Sequence, residues 1–241
     1  MRIAMWSGPR NLSTALMYAF AARGDCAAWD EPFYAAYLAR TGLAHPMAEE
    51  IRAAGLFDPA EVAAALRADP PEGRAHVYQK HMCQHMIAGM PRDWMADVTN
   101  VFLIRHPARV LASFASKYEA AGLEDIGFLQ QAELFDEVAE REGKAPIVID
   151  SNDIRDAPEA MLRALCAALK IEFHQEMLRW PAGPKPYDGV WAPVWYKAVH
   201  GSTGFAGREG PLPELSGAYA ATAEAALPAY EKLKAHRLRA G

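Results

Sequence analysis

Residues 1–20, MRIAMWSGPRNLSTALMYAF, are the stretch that decides the fold class of this chain. A short apolar run over Ile3–Trp6 has the composition of a buried strand, and a loop of small and polar residues follows it directly. A helix pattern then extends over about Ser13–Arg23 and stops at Gly24. A strand, a tight loop and a helix N-terminus together predict an anion-binding site, because free backbone N–H groups and the helix dipole converge on the loop.

The loop lacks the lysine of a nucleotide hydrolase. The Walker pattern is G-x-x-x-x-G-K-[ST], and counting from Gly8 places Ser13 at its second glycine and Thr14 at its lysine. Arg10 lies inside the loop, where a guanidinium group can donate two hydrogen bonds to one oxyanion. We therefore expect Arg10, Ser13 and Thr14 to bind an anion. The alternative is that Ser13 only caps a helix and that Arg10 is solvated.

The rest of the chain alternates between strand-like and helix-like segments. This alternation predicts a three-layer α/β fold with a mostly parallel central sheet flanked by helices. The expected strands are five apolar runs: Ile3–Trp6, Cys26–Trp29, His76–Lys80, Val98–Arg105 and Ala145–Asp150. Further helices are expected from Pro59 after an Asp58 N-cap, after Pro107, over 158–170, and over 218–237 with an interruption at Pro228.

Length, charge and cysteine content restrict the function classes. At 241 residues the chain suits a single domain, predicted over 1–241. The net charge of −5 argues against nucleic acid as a partner. Three widely separated cysteines form no C-x-x-C pair, which favours a reducing compartment: Cys26, Cys83 and Cys166. A strand in place of a signal peptide, and no apolar run near the ~18 residues of a membrane span, predict a cytoplasmic protein with no membrane partner.

The segment 179–215 follows neither a helix nor a strand pattern. Prolines, glycines and tryptophans cluster in it. Long irregular segments in compact domains commonly cover a functional site, so we interpret residues 179–215 as a lid. The alternative is a surface loop anchored by aromatic side chains. Trp191 and Trp195 would wall an acceptor pocket in the first interpretation and anchor the loop in the second.

A second candidate anion site lies in VFLIRHPARVLASF, residues 101–114. A buried strand ends at Arg105, Pro107 begins a helix, and Ser113 lies about two turns into that helix. An arginine at the carboxyl end of a strand and a helix hydroxyl can bind one phosphate, and ligands of open α/β sheets bind at that edge. The alternative is an arginine in a surface ion pair and a serine packed in its helix.

Four stretches together resemble the sulfotransferase family, in its bacterial form. GPRNLSTAL, residues 8–16, resembles the 5′-phosphosulfate loop of that family, and IRHPARVLASF, residues 104–114, resembles its 3′-phosphate motif. Residues 149–171 resemble its acidic strand-to-helix segment, and YQKHM, residues 78–82, its Lys/His strand end. These features occur in family order over about residues 1–172. The resemblance implies a fold like that of the P-loop nucleotide hydrolases.

The chain departs from the family pattern at three places. Leu12 stands where many members have glycine, and Arg10 stands where the cytosolic branch has lysine. No clear Lys-Gly loop for the 3′-phosphate is visible near the C-terminus, although GSTGFAGRE, residues 201–209, could serve in its place.

The resemblance implies the donor 3′-phosphoadenosine 5′-phosphosulfate as co-substrate and requires no metal. Arg105 and Ser113 would bind the 3′-phosphate. The 5′-phosphosulfate would be bound by the first loop: Gly8, Pro9, Arg10, Asn11, Leu12, Ser13 and Thr14. The implied reaction moves a sulfuryl group to a hydroxyl or amine of a small-molecule or carbohydrate acceptor. The oligomeric state is left open, with a homodimer as one option.

Three residues are candidates for catalysis. Glu31 follows the second strand in WDEPF and His81 ends the third strand, and either could act as general base. Many bacterial and carbohydrate sulfotransferases have a glutamate after the second strand, so the resemblance favours Glu31. Lys80 could stabilise the leaving oxygen, or it could form an ion pair with Asp30 or Glu31.

Other functions stay open at this stage. A P-loop NTP-dependent kinase is one, although Thr14 in place of lysine argues against it. A non-catalytic module that binds adenosine nucleotides is another. His81 and His85, with the spacing of helical zinc ligands, give a weaker metal hypothesis. Asp150 could be a Walker B residue that holds magnesium, but a helix-entry role for Asp153 is favoured.

Overall fold

The structure, a computed structural model, describes residues 1–115 and 122–240. Among these residues, five strands form one sheet in which every pair is parallel. The strands are β1 (Arg2–Ser7), β2 (Cys26–Asp30), β3 (His76–Met82), β4 (Thr99–Ile104) and β5 (Ile147–Asp150). Their spatial order is β2-β3-β1-β4-β5, so the chain moves to one side of β1 and then to the other.

Helices connect the strands and cover both faces of the sheet. In chain order the α-helices are α1 (Ser13–Ala21), α2 (Tyr34–Thr41), α3 (Ala48–Ala54), α4 (Pro59–Leu66), α5 (Pro107–Ala115), α6 (Phe128–Glu142), α7 (Ser151–Asp156), α8 (Pro158–Leu169), α9 (Ala192–Trp195), α10 (Lys197–His200) and α11 (Gly217–Lys234). Single 3₁₀ turns lie at Pro71–Gly73, Cys83–His85, Asp93–Asp97 and Gln175–Leu178. None of the described helices is long and apolar enough to cross a membrane.

Two apolar cores lie on opposite faces of the sheet. On one face, α1 and α8 pack against Met5 and Leu103. On the other face, side chains of α4, α5, α6 and α11 pack around Trp6 and Phe102. Neighbouring residues of β1 thus enter different cores, as the pleat of a strand requires. Because both faces are covered, the inner strands are almost continuously apolar.

The structure confirms the predicted three-layer α/β architecture. Each expected strand is present, with ends that move by at most two residues. The Asp58 cap forms as predicted, since its carboxylate accepts from the N–H of Ala60 at 2.8 Å. Several helices were not predicted from the sequence, and α6 is the longest of them. Asp153 lies in the first turn of α7, as expected for a helix-entry residue, while the cap is Asp150, which accepts from the N–H of Asn152 at 2.8 Å. Because β5 passes directly into α7, the last strand residue also becomes the cap.

The segment 179–215 contains regular secondary structure that the sequence pattern did not predict. It contains the two short helices α9 and α10, and an isolated antiparallel bridge between Arg179 and Gly204 joins two parts of the segment to each other. Tyr196, between the two helices, is 5% exposed and reaches the ends of β2 and β3. The lid interpretation stays a prediction, but this segment does lie against the carboxyl edge of the sheet.

Candidate active site

The first loop, residues 8–14, has a strained and tightly packed backbone. Arg10 and Leu12 have φ angles of 63° and 72°, in the left-handed region that only glycine enters at little cost. At Gly8, an added Cβ would lie 2.4 Å from the carbonyl oxygen of Ile126, so only glycine fits there. Left-handed residues next to ordinary ones turn successive N–H groups toward one point, which is how backbone anion sites are built.

Among the described residues, no side chain caps the start of α1. Leu12 occupies the N-cap position, and its hydrocarbon side chain cannot cap the first turn. Ser13 is therefore the first helical residue, so the alternative in which it merely caps the helix is wrong. The left-handed φ of Leu12 also explains why glycine is common at this position in the family that the motif resembles.

The two predicted anion sites are in direct contact. The Nε of Arg10 donates to the hydroxyl of Ser113 at 2.8 Å. One terminal nitrogen of Arg105 donates to the backbone carbonyl of Arg10 at 2.5 Å. The loop after β1 and the elements after β4 are thus joined by hydrogen bonds at the carboxyl edge of the sheet.

Arg105 also forms an ion pair, which was the alternative to phosphate binding that the sequence left open. Its partner is Glu209, whose side chain is only 8% exposed, so this is not a solvated surface pair. Glu209 belongs to the stretch 201–209 that could replace the missing Lys-Gly loop.

A second polar cluster lies at the ends of β2 and β3. The Nζ of Lys80 donates to Asp30 Oδ1 at 2.9 Å, to Glu31 Oε1 at 2.5 Å and to the hydroxyl of Tyr196 at 2.8 Å. An ammonium group has three N–H donors, and these three acceptors use all of them. Lys80 is 1% exposed, so its charge is neutralised by Asp30 and Glu31 rather than by solvent.

The hydroxyl of Tyr196 completes the cluster. It accepts from Lys80, accepts from Trp191 Nε1 at 3.0 Å and donates to Asp30 Oδ2 at 2.7 Å. One donor and two acceptor sites are the full capacity of a hydroxyl. The segment 179–215 therefore supplies a side chain that is integral to this cluster.

Electrostatics keep Lys80 charged. Burial alone would lower the pKa of Lys80, but the carboxylates of Asp30 and Glu31 outweigh burial and raise it. Glu31 adopts a φ of 43°, strained for a residue with a side chain, and its N–H donates to the carbonyl of Lys80 at 2.9 Å. Strained residues of this kind concentrate at functional sites.

His81 lies in a different environment from Lys80. Its ring stacks on Trp6 with centroids 4.5 Å apart and also contacts Trp94 and Phe33. It is 2% exposed, and its Nε2 has no hydrogen-bond partner among the described residues. Burial, reinforced by the charges of His85 and Lys80, lowers the pKa of His81 to about 3. The structure thus places this base candidate inside the apolar core.

His85 lies on the Glu31 side of the cluster. Its ring stacks between Tyr34 and Tyr37, with centroids 4.6 and 4.8 Å away, and its Nε2 is 3.9 Å from Glu31 Oε2. Burial first, and then the charge of Lys80, lower the pKa of His85 well below its ordinary value. The suggested zinc pair does not form, because His81 belongs to another cluster. Across residues 1–115 and 122–240, no group of three or more metal-binding side chains is present.

The comparisons with known proteins decide the family. A family model described as a sulfotransferase domain matches residues 1–237. This chain belongs to the sulfotransferase domain family. The motifs at residues 8–16 and 104–114, on which the sequence-based resemblance depended, both lie within the matched range of this sulfotransferase domain.

Two curated relatives come from Arabidopsis thaliana. They are named branched-chain-amino-acid aminotransferase-like proteins 2 and 1, and they are 35% and 36% identical to this sulfotransferase domain over 97% of its length. The chain spans only 41% and 42% of their lengths. Because the chain spans less than half of each relative, the names of those whole proteins carry no statement about this chain.

Solved sulfotransferase domains share the fold. The domain of the Synechococcus PCC 7002 olefin synthase has a TM-score of 0.51 and 17% identity, covering 92% of this chain and 93% of that domain. The domain of the curacin biosynthetic pathway has a TM-score of 0.55 and 16% identity, covering 92% and 96%. At these identities the likeness establishes the P-loop-like fold of this chain and nothing about its substrates.

Proposed function

We propose that this sulfotransferase domain transfers a sulfuryl group from 3′-phosphoadenosine 5′-phosphosulfate to a hydroxyl, or an amine, of a small-molecule or carbohydrate acceptor. The observation that carries the proposal is the order of groups along the carboxyl edge of the sheet. Glu31 follows β2, Lys80 lies in β3, the first loop follows β1, and Arg105 follows β4. A carboxylate thus lies on one side of an anion loop and a second cationic site on the other.

The spacing of the strands suits a ligand that is charged at both ends. Neighbouring strands are about 4.8 Å apart, so Glu31 is about 10 Å and Arg105 about 5 Å along the edge from the strand that carries the loop. Arg10, Ser13, Thr14 and the first N–H groups of α1 would bind the 5′-phosphosulfate. Arg105 and Ser113 would bind the 3′-phosphate.

The reaction would be an in-line displacement at sulfur. The acceptor oxygen forms a bond to sulfur, the bond from sulfur to the bridging phosphate oxygen breaks, and 3′-phosphoadenosine 5′-phosphate leaves. The acceptor proton passes to a general base. Glu31 is the base that the geometry supports, because one of its oxygens is fixed by Lys80 and the other is 3.9 Å from His85, too far for a hydrogen bond.

The arrangement supports the ion-pair alternative for Lys80 over a contact with the leaving oxygen. All three of its donors are used by Asp30, Glu31 and Tyr196, so none remains for the leaving oxygen in this arrangement. Lys80 instead fixes the orientation of Glu31. His81 is not supported as base, since its ring lies in the apolar core and its pKa is too low for proton transfer near neutral pH.

Titration of two nucleotides tests the donor assignment. 3′-Phosphoadenosine 5′-phosphate carries the 3′-phosphate and adenosine 5′-phosphosulfate does not, so Arg105→Ala should weaken only the first severely. Charge-assisted hydrogen bonds to an arginine are worth about 1.5–3 kcal/mol, so we expect a selective loss of at least tenfold by calorimetry. Arg67→Ala is the matched control, because Arg67 is exposed and paired with Asp97.

Equal losses for the two nucleotides would contradict the assignment of Arg105. Tighter binding of ATP with magnesium than of either nucleotide, measured in the same titrations, would favour a kinase instead. Binding of 3′-phosphoadenosine 5′-phosphate without any sulfuryl transfer across an acceptor panel would favour a non-catalytic module.

A further inference from the structure

Three arginines converge on the carboxylate of Glu209. Arg105 lies at the end of β4, Arg109 in α5 and Arg155 in α7. Arg155 donates to Oε1 at 2.8 Å, the Nε of Arg109 is 3.2 Å from Oε2, and Arg105 also pairs with Oε1. We call Arg105, Arg109 and Arg155 the arginine cluster. Of these three arginines, only Arg105 is predicted from the sequence to bind a ligand.

The arginine cluster has more positive charge than Glu209 neutralises. Three guanidinium groups share one carboxylate, and all four side chains are between 8% and 21% exposed. Bringing like charges together away from solvent is unfavourable, and a second negative charge would relieve it. A phosphate monoester carries about −1.5 to −2 charges at neutral pH and three acceptor oxygens, so it matches this cluster better than a carboxylate does.

The backbone around Glu209 is held by the same arginines. Arg155 Nε donates to the carbonyl of Gly207 at 2.9 Å, and Arg109 donates to the carbonyl of Gly210 at 2.6 Å. Residues 207–210, here called the strap, therefore lie across the arginine cluster. The cluster is also continuous with the first loop, because Arg105 donates to the carbonyl of Arg10.

We infer that Arg109 and Arg155 bind the 3′-phosphate of the donor together with Arg105, and that Glu209 occupies the position of that phosphate as an internal competitor. The inference rests on the proposed function and adds two binding residues and a displaceable strap to it. Nucleotide binding then requires the strap to leave the arginine cluster. The apparent affinity is reduced by the fraction of molecules in which Glu209 fills the site.

The test compares two nucleotides on one set of variants of the whole chain. In Glu209→Gln the competing charge is removed while the shape is kept. Because the arginines then offer their charge-assisted hydrogen bonds to the phosphate without competition, we expect 3′-phosphoadenosine 5′-phosphate to bind about tenfold more tightly. Adenosine 5′-phosphosulfate, which lacks the 3′-phosphate, should change by less than about twofold. Glu209→Asp, which keeps the charge, should stay close to the unmodified chain.

Arg109→Gln and Arg155→Gln test the binding role. Each should weaken 3′-phosphoadenosine 5′-phosphate about tenfold or more and leave adenosine 5′-phosphosulfate within about twofold, since each removes a charge-assisted contact to phosphate. Arg67→Gln, far from the strap and paired with Asp97, is the matched control and should change neither affinity.

The outcomes separate this inference from the proposed function. If the unmodified chain binds the two nucleotides equally or binds neither, the proposed function fails. If it prefers the 3′-phosphorylated nucleotide but Glu209→Gln leaves that affinity unchanged or weakens both, then Glu209 only supports the strap and the competitor role is wrong. Unchanged affinities in Arg109→Gln and Arg155→Gln would overturn their binding role while leaving Arg105 in place.

Discussion

Lys80 and His81 are neighbours in β3, yet their side chains belong to two different parts of the molecule. Lys80 enters a polar cluster with Asp30, Glu31 and Tyr196, in which its three donors are all used. His81 enters an aromatic cluster on the other face of the sheet, stacked on Trp6. Successive side chains of a strand point to opposite faces of the sheet, so the side chains of these two neighbouring residues lie apart.

One strand end therefore contributes to a polar cluster on one face of the sheet and to the apolar core on the other. On the Lys80 side the buried charges are paired, and under the proposed function one carboxylate oxygen of Glu31 would take the proton of the acceptor. The His81 side keeps an imidazole neutral by burying it, which makes it a component of the core. The following experiments test this division.

The largest expected effect is on turnover. Glu31→Gln should lower kcat about 10²- to 10⁴-fold, the usual contribution of a general base, while His81→Phe should change it by less than about threefold. Turnover is measured as sulfuryl transfer from labelled 3′-phosphoadenosine 5′-phosphosulfate to a panel of hydroxyl acceptors. Loss of turnover in His81→Phe with full activity in Glu31→Gln would reverse the assignment.

Removal of the buried cation should have the next largest effect. Lys80→Met leaves the carboxylates of Asp30 and Glu31 buried without a counter-charge, so we expect the free energy of unfolding in urea to fall by about 3–5 kcal/mol. Adding Asp30→Asn should recover part of that loss. The exposed Lys144→Met is the control and should change stability by less than about 0.5 kcal/mol. Equal stability of Lys80→Met and the control would show that the cluster is not ionic.

The acid side of the stability profile tests the His81 environment. Between its ordinary pKa of 6.5 and the folded value of about 3, the unfolded chain takes up a proton at this histidine that the folded chain does not. Stability therefore falls as the pH falls, by about 1.4 kcal/mol per pH unit for this one group, or about 2 kcal/mol from pH 6.5 to pH 5. In His81→Phe the free energy of unfolding, measured by urea titration at each pH, should lose this part of its pH dependence. Parallel profiles for the two proteins would contradict the lowered pKa.

The smallest expected effect is at the contact with the segment 179–215. Tyr196→Phe removes a hydroxyl that Lys80, Trp191 and Asp30 all use, so we expect a loss of about 1–2 kcal/mol in thermal or urea unfolding. The matched control is Tyr187→Phe, because among the described residues Tyr187 makes an edge contact with Tyr18 and no hydroxyl hydrogen bond. Equal losses of stability in both variants would show that the hydrogen bonds of the Tyr196 hydroxyl do not stabilise the cluster.

Much of this fold follows from local patterns in the sequence. Apolar runs bounded by turn residues give the strands, and the Asp58-Pro59 pair gives the start of α4. The helix α6 was open to prediction as well, because its buried residues Leu134, Phe135 and Val138 recur at helical spacing before Gly143, a left-handed C-cap. Because successive strand side chains point to opposite faces, the sequence also allows the prediction that the side chains of His81 and Lys80 lie in different clusters.

The remaining parts of the site depend on contacts that no local pattern encodes. Tyr196 lies 116 residues from Lys80, in a segment without periodicity, so nothing nearby in the sequence identifies its partner. The same holds for Glu209 and Arg155, which meet only because β5 and the strap reach the same edge of the sheet. The two candidate anion-binding motifs could be recognised in the sequence because backbone conformation, helix start and charge all lie within a few consecutive residues.

The hydroxyl of Tyr196 has a consequence for engineering. Under the proposed function, residues 189–200 are a place to exchange sequence between homologues in order to change acceptor choice, since they lie beside Glu31 but outside the sheet. Any such graft also replaces a hydrogen-bond partner of a buried carboxylate. A chimaera that carries a non-hydroxyl residue at position 196 would thus need a compensating change at Asp30, and libraries built there should vary the two positions together.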